Sequence, residues 1–191
     1  MIAAMPVEIW DARDFTPEQA RAIGELINQV WPKPTLTAED RAAQQLAIGR
    51  QYDGPATHAP RALVVVEAGR VVANATMLPR TVGTERGDMI IGGLARVCTD
   101  PTVRGRGLGE AVVRAALGLV DAGAFQFALF QTKRRLQAFY ERFGATEVTN
   151  QIVNSLGDDP EANPFWDEIV MRYPANRGWP AGTIDLRGPG Y

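Results

Sequence analysis

Apolar and polar residues alternate over Val7, Glu8, Ile9 and Trp10, which predicts a strand. The pattern then changes period. Ile23, Leu26, Ile27 and Val30 fall on one helical face. That run opens on Thr16-Pro17-Glu18-Gln19, which supplies a hydroxyl N-cap, a proline in the first turn and a glutamine at the capping-box position. Trp31-Pro32-Lys33-Pro34 ends it, and Thr37-Ala38-Glu39-Asp40 opens a second helix running to about Ile48. After a loop over residues 49–60, β-rich runs cover Arg61–Glu67, residues 70–78 and residues 89–98. Ala68-Gly69 between the first two is a hairpin signal.

Beyond an arginine- and glycine-rich loop, Ala111, Val112, Ala115, Ala116, Leu119 and Val120 predict an apolar-faced helix. Residues 124–130 read as a buried strand, and residues 134–143 as a helix closed by Gly144. Two last strands are expected over residues 147–153 and 168–173, with a polar loop over residues 156–164 between them. The order β-α-α-β-β-β-loop-α-β-α-β-β predicts a mixed α/β fold, with a central mixed sheet covered by helices on both faces. Residues 1–173 are expected to form one domain, and residues 174–191 an irregular tail rich in Gly and Pro.

Charge and composition narrow the function. Over 191 residues, 20 basic side chains face 22 acidic ones, a net charge of −2. Without a basic excess, nucleic acid is not expected as a partner. The 46% hydrophobic and 22% charged residues are globular values. One cysteine excludes a disulfide framework, and the single histidine, His58, excludes a multi-histidine metal site. No metal is expected. The longest apolar runs, residues 62–66 and 124–130, fall far short of the ~20 residues that span a bilayer, and no export signal is evident. A soluble cytoplasmic protein is the expectation.

The chemistry is concentrated where one strand feeds the glycine-rich loop. Arg104-Gly105-Arg106-Gly107-Leu108-Gly109 places three glycines at alternate positions before a helix. Backbone N–H groups freed of side-chain crowding, at the start of a helix, form an anion cradle. A nucleotide-triphosphate loop would need Gly-Lys-Ser/Thr, which is missing. A dinucleotide fingerprint would need glycine where Glu110 stands.

This segment resembles motif A of the GNAT-type N-acyltransferases, Arg/Gln-x-x-Gly-x-Gly/Ala. A second signature of that superfamily, an aromatic-Tyr-x-x-x-Gly end to the next helix, is matched by Phe139-Tyr140-Glu141-Arg142-Phe143-Gly144. One helix and one strand separate the two, as in the family. The resemblance implies a mostly antiparallel, twisted sheet flanked by helices, and acetyl-CoA as acyl donor. It implies that the backbone of Val97, Cys98 and Thr99 holds the pantetheine arm, with the Val97 N–H donating to the thioester carbonyl. It places the CoA pyrophosphate on Arg104, Gly105, Arg106, Gly107, Leu108 and Gly109, and makes Tyr140 the general acid. A pantetheine-orienting asparagine of the family is replaced here by Lys133.

Cys98 reads as a small buried hydrophobe and His58 as a loop residue. The general base has four carboxylate candidates, Glu67, Glu85, Asp88 and Asp100. For the acceptor, the acidic run Asp158, Asp159, Glu161, Asp167 and Glu168 would attract a cationic amine. The tail is similar in style to that of aminoglycoside 2′-N-acetyltransferases, which makes Asp185 and the Tyr191 carboxylate acceptor contacts. The leading expectation is transfer to a small-molecule primary amine in a ternary complex. A protein lysine or N-terminus, or a non-catalytic CoA-binding sensor, are the alternatives. The resemblance also allows a homodimer.

Overall fold

The computed structural model describes residues 6–191. The strands are β1 (Glu8–Asp11), β2 (Arg61–Glu67), β3 (Arg70–Thr84), β4 (Gly87–Thr99), β5 (Ala128–Thr132), β6 (Thr146–Glu147), β7 (Ile152–Val153), β8 (Ile169–Tyr173) and β9 (Ile184–Asp185). The helices are α1 (Pro17–Val30), α2 (Ala38–Arg50), α3 (Leu108–Asp121) and the short α4 (Gln137–Glu141). The strands hydrogen-bond in the order β1-β2-β3-β4-β5-β8-β6, with β9 joining β3 to β7. Most pairings are antiparallel; β4–β5 and β7–β9 are parallel. This is the mixed, largely antiparallel sheet with flanking helices that the sequence predicts.

The chain divides into two compact units, and β3, β4 and α3 run through both. The first comprises residues up to Leu78 together with Ala95–Gly118. Its core sets Ile23, Leu26 and Ile27 of α1 against Ala62 and Val64 of β2, Val71 of β3 and Cys98 of β4. Each large aliphatic side chain buried there contributes about 1.5–3 kcal/mol. Both helices carry the capping boxes written in the sequence: Thr16 with Gln19, and Thr37 with Asp40. Gly24 allows α2 to approach α1, since a Cβ there would lie 2.8 Å from the Ala42 nitrogen. The β2–β3 hairpin turns on Ala68 (φ +47°) and Gly69 (φ +77°), the left-handed pair that matches strand twist.

The second unit comprises Pro79–Leu94 and Leu119–Tyr191. Its core gathers Val82, Ile91, Phe127, Leu129, Ile152, Phe165, Val170, Ile184 and Leu186, with Trp179 and Tyr191 packed against it. The segment beyond residue 173 is therefore part of this core. Tyr191 lies over Gly93 of β4, where a Cβ would come within 2.5 Å of the ring. Its hydroxyl donates to the Leu129 carbonyl at 3.1 Å, and Phe165 packs edge-on against it. Gly93→Ala is expected to destabilise the protein by about 1–3 kcal/mol, the range for overpacking a filled core. A denaturant midpoint equal to wild type would show that the Tyr191 ring yields freely.

The structure redraws three expectations. The strand expected over residues 124–130 is displaced to β5, leaving Phe125 and Phe127 buried ahead of it. The run expected over residues 147–153 splits into β6, which pairs β8, and β7, which pairs β9. The helix expected over residues 134–143 is a 3-10 turn, Arg134–Leu136, followed by α4.

Candidate active site

In the first unit, β4 ends at Thr99, and a 3-10 turn, Pro101–Val103, leads to the glycine loop and α3. Gly105 (φ +81°) and Gly107 (φ +78°) are both left-handed, a conformation that costs other residues about 1–2 kcal/mol. A Cβ at either position would meet nothing within 4 Å. Arg104, Gly105, Arg106 and Gly107 are exposed, and Leu108 buries its side chain as the first residue of the 14-residue α3. Gly109 lies against Thr99, whose Oγ1 would be 3.2 Å from an added Cβ. The loop thus presents backbone to open space at the N-terminal end of a full-length helix. Those features fit a pyrophosphate.

The two loop arginines differ. Arg106 is held by Glu67 through bonds of 2.6 and 3.0 Å, and this pairing raises its pKa. Arg104 has a lesser electrostatic influence, favouring the charged form of the Cys98 thiol. Burial overrides that influence and pushes the thiol up to about 12. Cys98 is therefore a protonated core residue and no nucleophile at neutral pH. Val97 and Thr99 on either side are half-buried.

Asp100 is only 1% exposed. It accepts from the Thr102 N–H (2.8 Å), the Thr102 hydroxyl (2.7 Å), Gln29 (3.1 Å) and Arg70 (3.0 Å). The Thr102 N–H first, then its hydroxyl, hold the carboxyl below its usual range. Its contribution to stability is therefore present above the unfolded carboxylate pKa of about 3.9 and lost as pH falls through the lower folded value. Asp100→Asn is expected to lower the melting temperature at pH 7. That deficit should shrink progressively below about pH 4. An unchanged deficit down to acid unfolding would show that ionisation of Asp100 is irrelevant.

In the second unit, Tyr140 of α4 is 6% exposed. Its ring lies 4.6 Å from that of Phe130 and 4.9 Å from that of Phe139. Burial raises its hydroxyl to about 12, partly offset by a hydrogen bond with Thr132 of β5. The hydroxyl is thus protonated at neutral pH, as a proton or hydrogen-bond donor must be. Gly144 (φ +89°) closes the helix as its left-handed end residue.

The other expected residues have these places. Glu67, Asp88 and Asp100 are in ion pairs, with Arg106, Arg187 and Arg70 respectively. Arg187 holds the Asp88 carboxyl below its usual range. Glu85 is exposed, its carboxylate beside Gly182. Asp185 accepts from the Ser155 N–H and hydroxyl at 3.0 and 2.6 Å, and the Tyr191 main-chain oxygen accepts from Gln131 at 3.0 Å. Asp158, Asp159 and Glu161 are exposed, and Glu168 accepts the Arg134 N–H. Lys133 is exposed, and His58 closes a 3-10 turn. Sequence reasoning passed over Arg96, a left-handed residue (φ +52°) within β4 whose Nη1 is shut off from water without a hydrogen-bond partner. The available signal was a charged residue in the run Leu94-Ala95-Arg96-Val97-Cys98. Among the described residues, no group of His, Cys, Asp and Glu could hold a metal ion, and no helix is long and apolar enough to cross a membrane.

Strand, glycine loop and helix follow one another in the first unit in the order that motif A of the GNAT-type N-acyltransferases requires. The family model for the GNAT acetyltransferase domain matches residues 11–148. The chain belongs to that family and is an acyl-CoA N-acyltransferase. The match stops short of the tail, so the aminoglycoside-type ending rests on tail composition alone. Comparison with curated proteins gives no match.

Solved structures show the same fold. An acyl-CoA N-acyltransferase from Pseudomonas aeruginosa is 20% identical, with a TM-score of 0.58, over 88% of this chain and 99% of that one. Glucosamine-6-phosphate N-acetyltransferase from Arabidopsis thaliana is 18% identical, with a TM-score of 0.58, over 75% and 94%. A GNAT acetyltransferase from Brucella melitensis in complex with acetyl-CoA is 18% identical, with a TM-score of 0.53, over 75% and 84%.

Proposed function

We propose that the protein transfers the acetyl group of acetyl-CoA to a primary amine of a small molecule, by direct attack of that amine. The observation that carries the donor assignment is the loop from Arg104 to Gly109, with two left-handed glycines open to solvent ahead of α3. Its N–H groups hold the pyrophosphate, and Arg104 adds charge. The backbone of Val97, Cys98 and Thr99 binds the pantetheine arm. The Val97 N–H donates to the thioester oxygen, where a positioned donor contributes about 3–4 kcal/mol of transition-state stabilisation. Tyr140 donates to the leaving sulfur. With a pKa of about 12, it is a weaker acid than a thiol of about 8.5, so it acts chiefly as a hydrogen-bond donor. The protonated Cys98 thiol supports direct transfer over an acyl-cysteine intermediate. Three of the four carboxylates considered as bases are committed to ion pairs, which favours proton loss from the amine to water.

The test is thiol release from acetyl-CoA across a panel of small amines and lysine-containing peptides. Turnover confined to small amines supports the proposal. Turnover confined to peptides would replace the acceptor class, and binding without turnover on any amine would leave a CoA-binding module.

A further inference from the structure

The run Val71-Val72-Ala73-Asn74-Ala75-Thr76-Met77 of β3 is buried throughout, and Asn74 is its one side-chain amide. Asn74 is 0% exposed, and its Oδ1 has no hydrogen-bond partner, an arrangement that costs stability. The other end of the amide is fully used. Nδ2 donates to the Arg96 carbonyl of β4 at 2.9 Å and to the Thr76 hydroxyl at 3.2 Å. Turned over, the amide would set its oxygen against the Arg96 oxygen, so the donor end is the one that faces β4.

That bond reaches a residue of unusual backbone. Arg96 is left-handed (φ +52°). Left-handed residues inside strands mark bulges, which interrupt the ladder and re-aim the groups beside them. The Arg96 carbonyl and the Val97 N–H are the two ends of one peptide unit. A trans peptide is planar, and its C=O and N–H point in opposite directions. A donor that fixes the carbonyl therefore fixes the aim of the N–H. A hydrogen bond accepted at the oxygen also draws electron density away from the nitrogen, which makes the N–H a stronger donor. The far side of the same stretch is tied to β3 as well, since the Asp100 N–H donates to the Val72 carbonyl at 2.8 Å. Val97, Cys98 and Thr99 are thus held from β3 at both ends, all within the first unit.

We propose that Asn74 is a positioning residue for acyl transfer: through the Arg96 carbonyl it aims and polarises the Val97 N–H that stabilises negative charge on the thioester oxygen. This rests on the reading that Val97 holds the thioester. Charge on that oxygen grows as the amine attacks, so the bond from Val97 is stronger in the transition state than in the ground state. Asn74 accordingly acts on kcat more than on the binding of acetyl-CoA. CoA itself has no thioester carbonyl, and its affinity is independent of Asn74.

The experiment uses Asn74→Leu, a side chain of similar size without a donor. Thiol release is measured with the amine of the panel above that turns over fastest. The variant's kcat should fall about thirtyfold, less than the roughly hundredfold or more that follows loss of an oxyanion donor, because the N–H itself remains. Affinity for CoA should be unchanged and that for acetyl-CoA within a few-fold. A merely structural asparagine would lower the melting temperature and leave kcat of the folded variant at the wild-type value, which overturns the proposal. Loss of CoA affinity also overturns it, because Asn74 would then support the loop beyond β4 and not the thioester.

Nuclear magnetic resonance of isotope-labelled protein needs no acceptor and separates the proposal from the reading beneath it. In wild type the Val97 amide proton should move further downfield with acetyl-CoA than with CoA. Asn74→Leu should lose most of that difference. A difference kept in full by the variant overturns the role of Asn74 and leaves Val97 at the thioester. No difference in wild type removes Val97 from the thioester, and the role of Asn74 falls with it. If Asn74→Leu does not fold, wild type decides alone. The Asn74 side-chain amide protons, linked to the thioester through one peptide, should respond to acetyl-CoA and not to CoA. Their silence while Val97 responds overturns the proposal.

Discussion

Gly107→Glu is expected to weaken acetyl-CoA binding by at least about a hundredfold while the protein stays folded. A carboxylate placed against the proposed pyrophosphate converts attraction into repulsion, and like charges brought together cost several kcal/mol. The backbone at Gly107 is left-handed (φ +78°), so any side chain there adds strain of about 1–2 kcal/mol. That is a modest fraction of the 5–15 kcal/mol typical of a domain. No atom within 4 Å opposes the new Cβ, so packing adds no further penalty. Charge and strain are separated by a second pair, Gly107→Asn and Gly107→Asp. Both residues tolerate this backbone region and have nearly equal volume. Calorimetric titration with acetyl-CoA should rank wild type above Asn and Asn well above Asp, with the two melting temperatures close together. Equal affinity for the Asn and Asp variants would mean the pyrophosphate does not sit on this loop.

The second large effect is expected at Tyr140. Tyr140→Phe should reduce kcat by about a hundredfold, at the lower end for loss of a positioned proton donor, with the KM for acetyl-CoA within a few-fold. The ring contacts with Phe130 and Phe139 survive the change, so the helix keeps its seat. Thr132, 3% exposed, loses its partner, and a buried group left unsatisfied costs about 1–3 kcal/mol of stability. The pH dependence separates the roles further. Burial raises the Tyr140 pKa to about 12, so its proton is present throughout the neutral range. The kcat profile of wild type should therefore show no loss from Tyr140 ionisation on the alkaline side until near that value. Any ascending limb nearer neutrality belongs to deprotonation of the amine. A Phe variant with wild-type kcat would remove Tyr140 from the chemistry and leave it a core residue.

The parts of this protein legible in the sequence are those set by short-range physics. Thr16 with Gln19 and Thr37 with Asp40 close their own capping boxes within one turn. Ala68-Gly69 supplies a left-handed pair for the hairpin, and Arg61–Glu67 is a strand with the bounds its β-rich run predicts. The glycines at 105 and 107 mark backbone that must turn left-handed in the open ahead of a helix, a requirement carried by the residues themselves. Family membership was legible for the same reason, since both of its motifs are local.

What the tertiary structure decided depends on partners distant in sequence. Residues 147–153 look like one strand, but their two ends pair with β8 and β9, so the strand does not stay continuous. Phe125 and Phe127 have strand composition yet precede β5, whose place is set by pairing with β8 and β4. Arg104 and Arg106 both bring positive charge to the loop; Glu67, brought in by the β2–β3 hairpin, pairs with Arg106. Arg96 reads as an interruption of an apolar strand. Only the packed unit sets its backbone left-handed, with Asn74 donating to its carbonyl, and shuts its Nη1 off from water. Burial and pairing are properties of the assembled chain: a sequence states which groups are charged, and the fold states which charges are left without a partner.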